Sequence, residues 1–172
     1  DGNSRDLESL PREVTVTGGE LPEHLEVREG LLRFHAPVTD GQKTGWLYDQ
    51  TGNRAQLARL LQPGARVLDV CSYVGGWSVA ALAQGAAQAL AVDSSQHALD
   101  WALRNAQLSN VSLETRRGDA FDVLEALAVE GRQFDVAIVD PPAFIKRRKD
   151  QPKGEAAYRR LNQLAMRVLS DE

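Results

Sequence analysis

The chain has 172 residues, of which 42% are hydrophobic and 26% are charged, a composition that indicates one globular domain with a buried core. Its net charge of −4 excludes a polycationic nucleic-acid binder, so any contact with nucleic acid has to be local. The one cysteine, Cys71, excludes an internal disulfide framework, and with three scattered histidines it forms no cluster for a structural metal.

The sequence contains no recognisable membrane or secretory segment. Its apolar stretches fall far short of the ~20 residues that a membrane span requires. The polar N-terminus lacks the basic-then-apolar order of a secretory signal. We therefore expect a cytoplasmic protein with no membrane partner and no metal, whose oligomeric state is open and compatible with a dimer.

The sequence pattern of the N-terminal region, 1–40, predicts a small β-hairpin or linker. Short alternating runs occupy 14–17, 25–27 and 31–34. Glu29-Gly30 lies between the last two runs, as the turn of a hairpin would. Spaced leucines across 45–61 then indicate a loop and a helix that ends near Pro63-Gly64.

The remainder, 41–172, shows a regular alternation of strands and helices. The predicted strands are 66–70, 89–92, 111–115 and 134–139, and the predicted helices are 77–84, 96–108, 121–129 and 154–169. Apolar strands separated by helices predict an α/β fold with a Rossmann-like, doubly wound, mostly parallel sheet. Because the sequence stops after the last helix, where another strand is expected, we expect the sheet to be truncated at the C-terminus.

The first strand of this fold leads into a glycine turn that predicts a ligand site. The turn ends at Gly75-Gly76 and precedes a helix, so backbone amides face the carboxyl edge of the sheet. The second strand ends in Asp93, 17 residues later. A carboxylate there can accept hydrogen bonds from both hydroxyls of a ribose. The ligand is therefore predicted to contain an adenosine.

The glycine spacing favours one adenosine ligand over another. A dinucleotide site needs G-x-G-x-x-G so that the backbone can approach a pyrophosphate, whereas here Cys71 and Tyr73 stand where glycines are expected. S-adenosylmethionine has no phosphate, and Asp69 is placed to receive its ammonium group, directly or through water. The alternative is a plain turn, with Asp93, Ser94 and Ser95 only capping the next helix.

The fourth strand ends in a proline corner, 140–144. Prolines fix the backbone and cannot extend a sheet, so the corner is predicted to project carbonyl groups, Asp140 and the Phe144 ring toward the ligand, where a planar base can bond and stack. The alternative is a rigid loop with Phe144 in the core. A basic run, 146–149, with Lys153, Arg159 and Arg160 after it, either tracks RNA phosphates or is a solvated loop.

Four segments together carry a family resemblance. They are 41–54, the turn Cys-Ser-Tyr-Val-Gly-Gly-Trp-Ser at 71–78, Ala-Val-Asp-Ser-Ser-Gln-His-Ala-Leu at 91–99, and Asp-Pro-Pro-x-Phe at 140–144. The chain resembles the class I ribosomal RNA methyltransferases over nearly its whole length. It is most similar to the bacterial large-subunit rRNA cytosine-C5 methyltransferases that carry an N-terminal PUA domain.

The resemblance implies an S-adenosylmethionine cofactor, a ribosomal RNA substrate and two sets of site residues. The cofactor set, with Asp69, is Lys43, Thr44, Tyr48, Gln50 and Arg54 ahead of the fold, Ser72, Tyr73, Gly75 and Gly76 at the methionine end, Asp93 and Ser94 at the ribose, Asp119 and Ala120 at the adenine, and Asp140. The target-base set is Asp140, Pro141, Pro142 and Phe144.

One departure from the family concerns the nucleophile. Cytosine-C5 methyltransferases attack C6 of the base with a cysteine thiolate, which the family carries on a later strand. Cys71, at the end of an apolar strand, is a poor substitute. We therefore expect this chain alone to be inactive. The alternatives are an rRNA methyltransferase acting on a purine nitrogen and, less favoured, an NAD-dependent oxidoreductase or a non-catalytic RNA-binding module.

Overall fold

A computed structural model describes residues 18–39 and 45–170. The alternating run at 14–17, Lys43 and Thr44 lie outside the described residues. Within the described ranges, no helix combines the length and apolar character needed to cross a bilayer.

The predicted N-terminal hairpin is confirmed. Strands β1 (His24–Glu29) and β2 (Leu32–Pro37) pair antiparallel, with Glu29 opposite Leu32. Gly30 occupies the turn with a φ of 60°, a conformation that glycine adopts without strain. Alternation along the strands turns Val27 and Phe34 inward, where both are buried.

The main sheet is parallel, in the order β5-β4-β3-β6, which confirms the predicted α/β class. Its strands are β3 (Arg66–Val70), β4 (Gln88–Asp93), β5 (Glu114–Arg117) and β6 (Val136–Val139). Its helices are α1 (Thr51–Leu60), α2 (Gly76–Ala83), α3 (Gln96–Leu108), α4 (Ala120–Val129) and α5 (Gln151–Met166). Single 3₁₀ turns, Tyr48–Gln50 and Arg148–Asp150, precede α1 and α5.

The sheet buries both of its faces, each against a different pair of helices. Val67 faces a core that also holds Val79 of α2, Trp101 of α3 and Phe34 of the hairpin. Leu68 faces the opposite core with α4 and α5, whose contributions are Val123, Leu124, Leu127, Leu161, Leu164 and Ala165. This alternation follows from the two-residue period of a strand, and it makes the fold doubly wound.

Two predicted boundaries were wrong. The strand predicted at 111–115 begins only at Glu114, because Asn110 takes a left-handed φ of 52° and the Val111 N–H donates to the Ala106 carbonyl, so these residues close α3. The helix predicted at 154–169 lies three residues earlier, since Leu169 leaves it to form a parallel bridge with Phe134. The chain after α5 thus returns beside β6.

The hairpin is fastened to the sheet domain by a buried asparagine. The Asn105 side chain of α3 accepts the N–H of His35 at 2.7 Å and donates to the carbonyls of His35 and Val74, at 3.2 and 3.0 Å. Val74 belongs to the turn after β3, so one amide joins the hairpin to that turn. A domain boundary near residue 40 stays a prediction.

A nearly buried ion pair makes the second attachment. The Arg54 Nε and Nη2 atoms donate to the Glu29 carboxylate, and the two side chains are only 5% and 10% exposed. Thr51 and the Trp46 indole donate to the same carboxylate. Burial raises the pKa of Glu29, but the hydrogen bonds from Arg54, Thr51 and Trp46 outweigh it and hold that pKa below its usual value.

Replacing Glu29→Ala should lower the free energy of unfolding by about 3–5 kcal/mol, because it strands the Arg54 charge in the interior. Glu26→Ala is the matched control, since it breaks an exposed ion pair with Arg28 on the same strand and should leave stability almost unchanged. Urea unfolding of both variants measures this, and equal losses would contradict the assigned role of the buried pair.

Candidate active site

The turn after β3 is held in an unusual backbone conformation. Cys71, Tyr73 and Gly75 have positive φ values of 64°, 50° and 75°. Left-handed backbone at residues other than glycine is costly and persists where the surroundings enforce it. A Cβ on Gly75 would lie 2.8 Å from the Cβ of Ala102, so the turn packs directly on α3. The turn is therefore a rigid segment at the carboxyl edge of the sheet.

Asp93 ends β4 with its carboxylate fixed by two backbone donors. Its Oδ2 accepts the Tyr73 N–H and its Oδ1 accepts the Ser95 N–H, both at 2.9 Å. Ser95 is the N-cap of α3 and accepts the Ala98 N–H, so capping the helix does not account for Asp93. Each carboxylate oxygen keeps a second lone pair, which leaves Asp93 able to accept two hydroxyl donors.

The end of β5 adds a second acidic side chain to this edge. The Gly118 N–H donates to the Asp93 carbonyl at 3.0 Å, which holds the two strand ends together. Asp119 follows as the N-cap of α4, with its Oδ1 accepting the Phe121 N–H at 2.9 Å. Asp93 and Asp119, which follow two neighbouring strands, therefore lie at the same edge of the sheet.

A cleft of about 450 Å³ lies at this edge, within the size range of small-molecule sites. It brings together most of the residues expected from the sequence, namely Gln50, Tyr73, Asp93, Ser94, Asp119, Ala120, Asp140, Pro141, Pro142 and Phe144. Leu47 and Asp49, from the 3₁₀ turn before α1, line it as well. The cleft thus brings part of the cofactor set together with the target-base set.

The charge of the cleft discriminates between ligand classes. Asp49, Asp93, Asp119 and Asp140 line it, and no Lys, Arg or His is found among its described lining residues. Such a lining attracts a cation and repels a pyrophosphate. The arrangement disfavours the nicotinamide dinucleotide alternative on electrostatic grounds.

A small cavity of about 20 Å³ adjoins the cleft and shares Tyr73 and Asp140 with it. Arg54 lines this cavity, and its Nη1 has no hydrogen bond to any described residue. Ser72 also lines it, and the Ser72 Oγ is buried without a partner. A Cβ on Gly76 would lie 3.6 Å from Arg54 Nη1. The cavity therefore offers unpartnered donors to a small anionic group such as a carboxylate.

Asp69 lies outside both cavities. It is fully buried, and its Oδ2 accepts the backbone N–H and the hydroxyl of Ser78, at 3.0 and 2.6 Å. Burial raises the pKa of Asp69 to about 7, against the lowering effect of the Ser78 hydrogen bonds. These hydrogen bonds direct the Asp69 carboxylate toward α2, so its expected contact with the ligand, directly or through water, stays a prediction.

Cys71 lines the cleft but lacks the properties of a nucleophile. Burial, reinforced by the charges of Asp93 and Asp69, raises the pKa of its thiol to about 12. The reactive form of cysteine is the thiolate, which this site suppresses at neutral pH.

The proline corner is anchored on the far side of the cleft. The Asp140 N–H donates to the Val70 carbonyl at 3.3 Å, and the Trp77 indole N–H lies 3.5 Å from Asp140 Oδ2. The Phe144 ring lies 4.7 Å from the Tyr158 ring and 6.1 Å from the Phe121 ring, between centroids. Phe144 thus packs between α4 and α5 and presents only part of its surface to the cleft, and its stacking on a base stays a prediction.

Two further assigned residues lie outside the cleft, and their roles stay predictions. Tyr48 is 62% exposed and lines neither cavity, while Gly75 serves the turn itself. Sequence reasoning missed Asp49, although it stands inside the motif segment 41–54, and it missed Trp77, which directly follows Gly76. Among residues 18–39 and 45–170, no group of three His, Cys, Asp or Glu side chains is arranged to hold a metal.

The doubly wound sheet with an acidic cleft at its carboxyl edge is the architecture of a Rossmann-like class I methyltransferase. Residues 49–171 match the model of the FtsJ-like methyltransferase family, and the chain belongs to that family.

Named relatives agree with this membership. The chain is 35% identical to ribosomal RNA large subunit methyltransferase I of Serratia proteamaculans over 96% of its own length. It is 38% identical, over 97% of its length, to a candidate ribosomal RNA large subunit methyltransferase of Methanocaldococcus jannaschii. In both cases it spans 43% of the relative. A candidate methyltransferase solved with S-adenosylhomocysteine superposes with a TM-score of 0.77 at 26% identity, over 91% of this chain and 42% of the other.

The buried Asp69 predicts a specific pH dependence of stability. Its pKa rises on folding from 3.8 to about 7, so between these values the native state holds a proton that the unfolded chain has released. The free energy of unfolding should therefore fall as pH rises through this window, by up to about 1.4 kcal/mol per unit. Urea unfolding of Asp69→Asn across the window should lack this slope, and parallel curves for the two proteins would contradict the prediction.

Proposed function

We propose that this chain forms the S-adenosylmethionine site of a ribosomal RNA methyltransferase, acting on C5 of a cytosine in the large-subunit rRNA. The observation that carries the proposal is the pairing of Asp93, fixed where a ribose binds, with the unpartnered donors Arg54 Nη1 and Ser72 Oγ at the other end of the site. When bound, this cofactor supplies a methyl group made electrophilic by a positively charged sulfur.

The residues present fit such a cofactor at three points. Asp93 accepts the ribose hydroxyls, with Ser94 beside it. Arg54 and Ser72 bind the carboxylate of the methionine part in the small cavity, close to the amino end of α2. Asp119 and Ala120 flank the adenine, and the surrounding carboxylates suit the sulfonium charge. Contacts from Lys43 and Thr44 stay predictions.

The proline corner is the part of the site that receives the base. Asp140 and the carbonyl groups around Pro141 and Pro142 face the same cleft as the cofactor residues. They accept hydrogen bonds from the amino group of a flipped base. The two named relatives are described as ribosomal RNA large subunit methyltransferases, which supports rRNA as the substrate.

The C5 assignment rests on the likeness of the motifs to the cytosine-C5 enzymes. That chemistry needs a thiolate, and burial raises the pKa of the Cys71 thiol to about 12, which disfavours Cys71 in this role; following the family resemblance, we assign the nucleophile to a cysteine on a later strand. The second candidate is methylation of a purine nitrogen. It is favoured by the acceptors at the corner, which suit an exocyclic amine.

RNA that carries 5-fluorocytidine separates the two candidates. Attack on C6 followed by methylation at the blocked C5 leaves a covalent protein–RNA adduct, which survives denaturing electrophoresis. The C5 proposal predicts this adduct, and digestion of unmodified product RNA to 5-methylcytidine. A methylated purine nucleoside without an adduct would establish the second candidate instead.

Calorimetry with S-adenosylhomocysteine tests the cofactor assignment. Asp93→Ala should weaken binding by about 2 kcal/mol, or roughly 30-fold, because hydrogen bonds to a carboxylate are lost. Asp100→Ala is the control, since it removes an equal charge from the exposed face of α3. NAD should not bind either protein. Binding of NAD, or equal losses in the two variants, would reject the assignment.

In the full-length protein, replacing Cys71→Ala should leave the rate of methyl transfer to large-subunit rRNA within about threefold of the unsubstituted protein, since a protonated thiol contributes little to nucleophilic attack. The rate is measured with radiolabelled cofactor under single-turnover conditions. A loss of a thousandfold or more would show that Cys71 is the nucleophile after all.

A further inference from the structure

A cluster of uncompensated positive charge lies directly after the proline corner. We call Lys146, Arg147, Arg148, Lys149 and Lys153 the basic segment. All five side chains are exposed, and none forms an ion pair with a described residue. Asp150 is the one acid between residues 146 and 153, so this stretch carries a net charge of +4 in a chain whose total is −4.

The basic segment differs from the rest of the described surface because its unpaired cations are grouped, whereas Arg59, Arg117, Arg159 and Arg167 lie apart in the sequence without an ion pair to a described residue. Elsewhere, eight arginines are each paired with a carboxylate, and they are Arg28, Arg33, Arg54, Arg66, Arg104, Arg116, Arg132 and Arg160. Grouped like charges repel one another, which destabilises the folded state unless an anion is bound. The folding of the chain alone therefore does not account for the cluster.

The basic segment is built on a folded support. The Asp150 N–H donates to the Arg147 carbonyl at 2.8 Å in the 3₁₀ turn, and the Phe144 N–H donates to the Tyr158 Oη at 3.2 Å. Gly154 of α5 lies under this stretch, where an added Cβ would overlap Ile145 Cγ1 and lie 3.2 Å from the Phe144 carbonyl carbon. These contacts fix the backbone on both sides of the cations, which the alternative of a solvated loop does not require.

The location of the basic segment relates it to the cleft. Phe144 lines the cleft, and Lys146 follows two residues later, so the cations begin at the mouth on the side of the proline corner. The cleft itself is lined by carboxylates and repels phosphates. When an RNA inserts one base into the cleft, its phosphates can therefore contact the cations of the basic segment, which lie outside the cleft opening.

We propose that the basic segment binds the sugar-phosphate backbone of RNA next to the nucleotide held at the proline corner. This inference rests on the proposed function and assigns the surface through which its substrate docks. RNA suits the segment better than a protein or a membrane does, because none of the exposed large hydrophobic side chains of the described residues lies within it. Protein interfaces have an apolar core, and stable membrane anchoring needs an apolar or lipid anchor beside a basic patch, whereas phosphate contacts need only cations.

The test compares Arg147→Gln/Arg148→Gln with Arg59→Gln/Arg167→Gln. The control pair is equally exposed and equally free of ion pairs to described residues, but lies on α1 and after α5. Binding of a fluorescein-labelled single-stranded RNA is followed by anisotropy between about 50 and 200 mM salt. The first variant should bind about tenfold more weakly, and its slope of log affinity against log salt should flatten by about 1.4 for two lost phosphate contacts.

Unchanged affinity and slope in the first variant, or equal losses in the control, would overturn the proposal. So would a selective loss of binding to anionic vesicles or to polyglutamate with RNA binding intact. Both variants should bind S-adenosylhomocysteine as the parent does. If the parent itself fails to bind it, the proposed function is rejected rather than the docking surface.

A second variant tests the support without changing any charge. Gly154→Ala should displace Ile145 and weaken RNA binding severalfold, while Gly52→Ala, at a helical position open to solvent, should have no effect. Circular dichroism verifies that both proteins are folded. Parent-like RNA binding by folded Gly154→Ala would contradict the claim that the cations are held in place by α5.

Discussion

The contact between Glu29 and Arg54 is the interaction on which the site depends. The Glu29 carboxylate, beside the hairpin turn, accepts hydrogen bonds from Arg54 of α1 and from the Trp46 indole, and so attaches the hairpin to α1. The Arg54 guanidinium then lies over Trp46 and Trp77, at 4.8 and 5.8 Å from their ring centroids, with Nη1 toward the small cavity. A buried arginine without its carboxylate would be unstable there. The hairpin is therefore part of the proposed cofactor site.

The site separates two charges over a short distance. Carboxylates line the cleft, where a cationic cofactor fits, and uncompensated cations begin just past Phe144, where a polyanion fits. Screening at physiological salt acts over about 8 Å, so neighbouring surfaces of opposite sign remain distinct to their ligands. The proline corner stands between the two surfaces, and in the proposed function it presents the base of one ligand to the other.

The sequence predicted the parts of the fold that have strong local signals. The strand at 66–70 and the helix at 96–108 were predicted to the residue, because apolar periodicity and turn residues mark both. Strand β5 was misplaced because it is a polar edge strand whose first expected residues close α3 instead. The partner of Arg54 lies 25 residues away in sequence and leaves no local trace. The burial of Asp69 against Ser78 was not predicted, because spacing alone does not tell which face of a strand a carboxylate occupies.

The central claim is that Ser72 and Arg54 bind the carboxylate end of the cofactor. Calorimetry of Ser72→Ala with S-adenosylhomocysteine and with 5′-methylthioadenosine, which lacks the amino-acid end, tests it most directly. The substitution removes only an unpartnered hydroxyl, so the fold should be unaffected. The account predicts about tenfold weaker binding of S-adenosylhomocysteine and unchanged binding of 5′-methylthioadenosine. Equal effects on both ligands, or no effect on either, would contradict it.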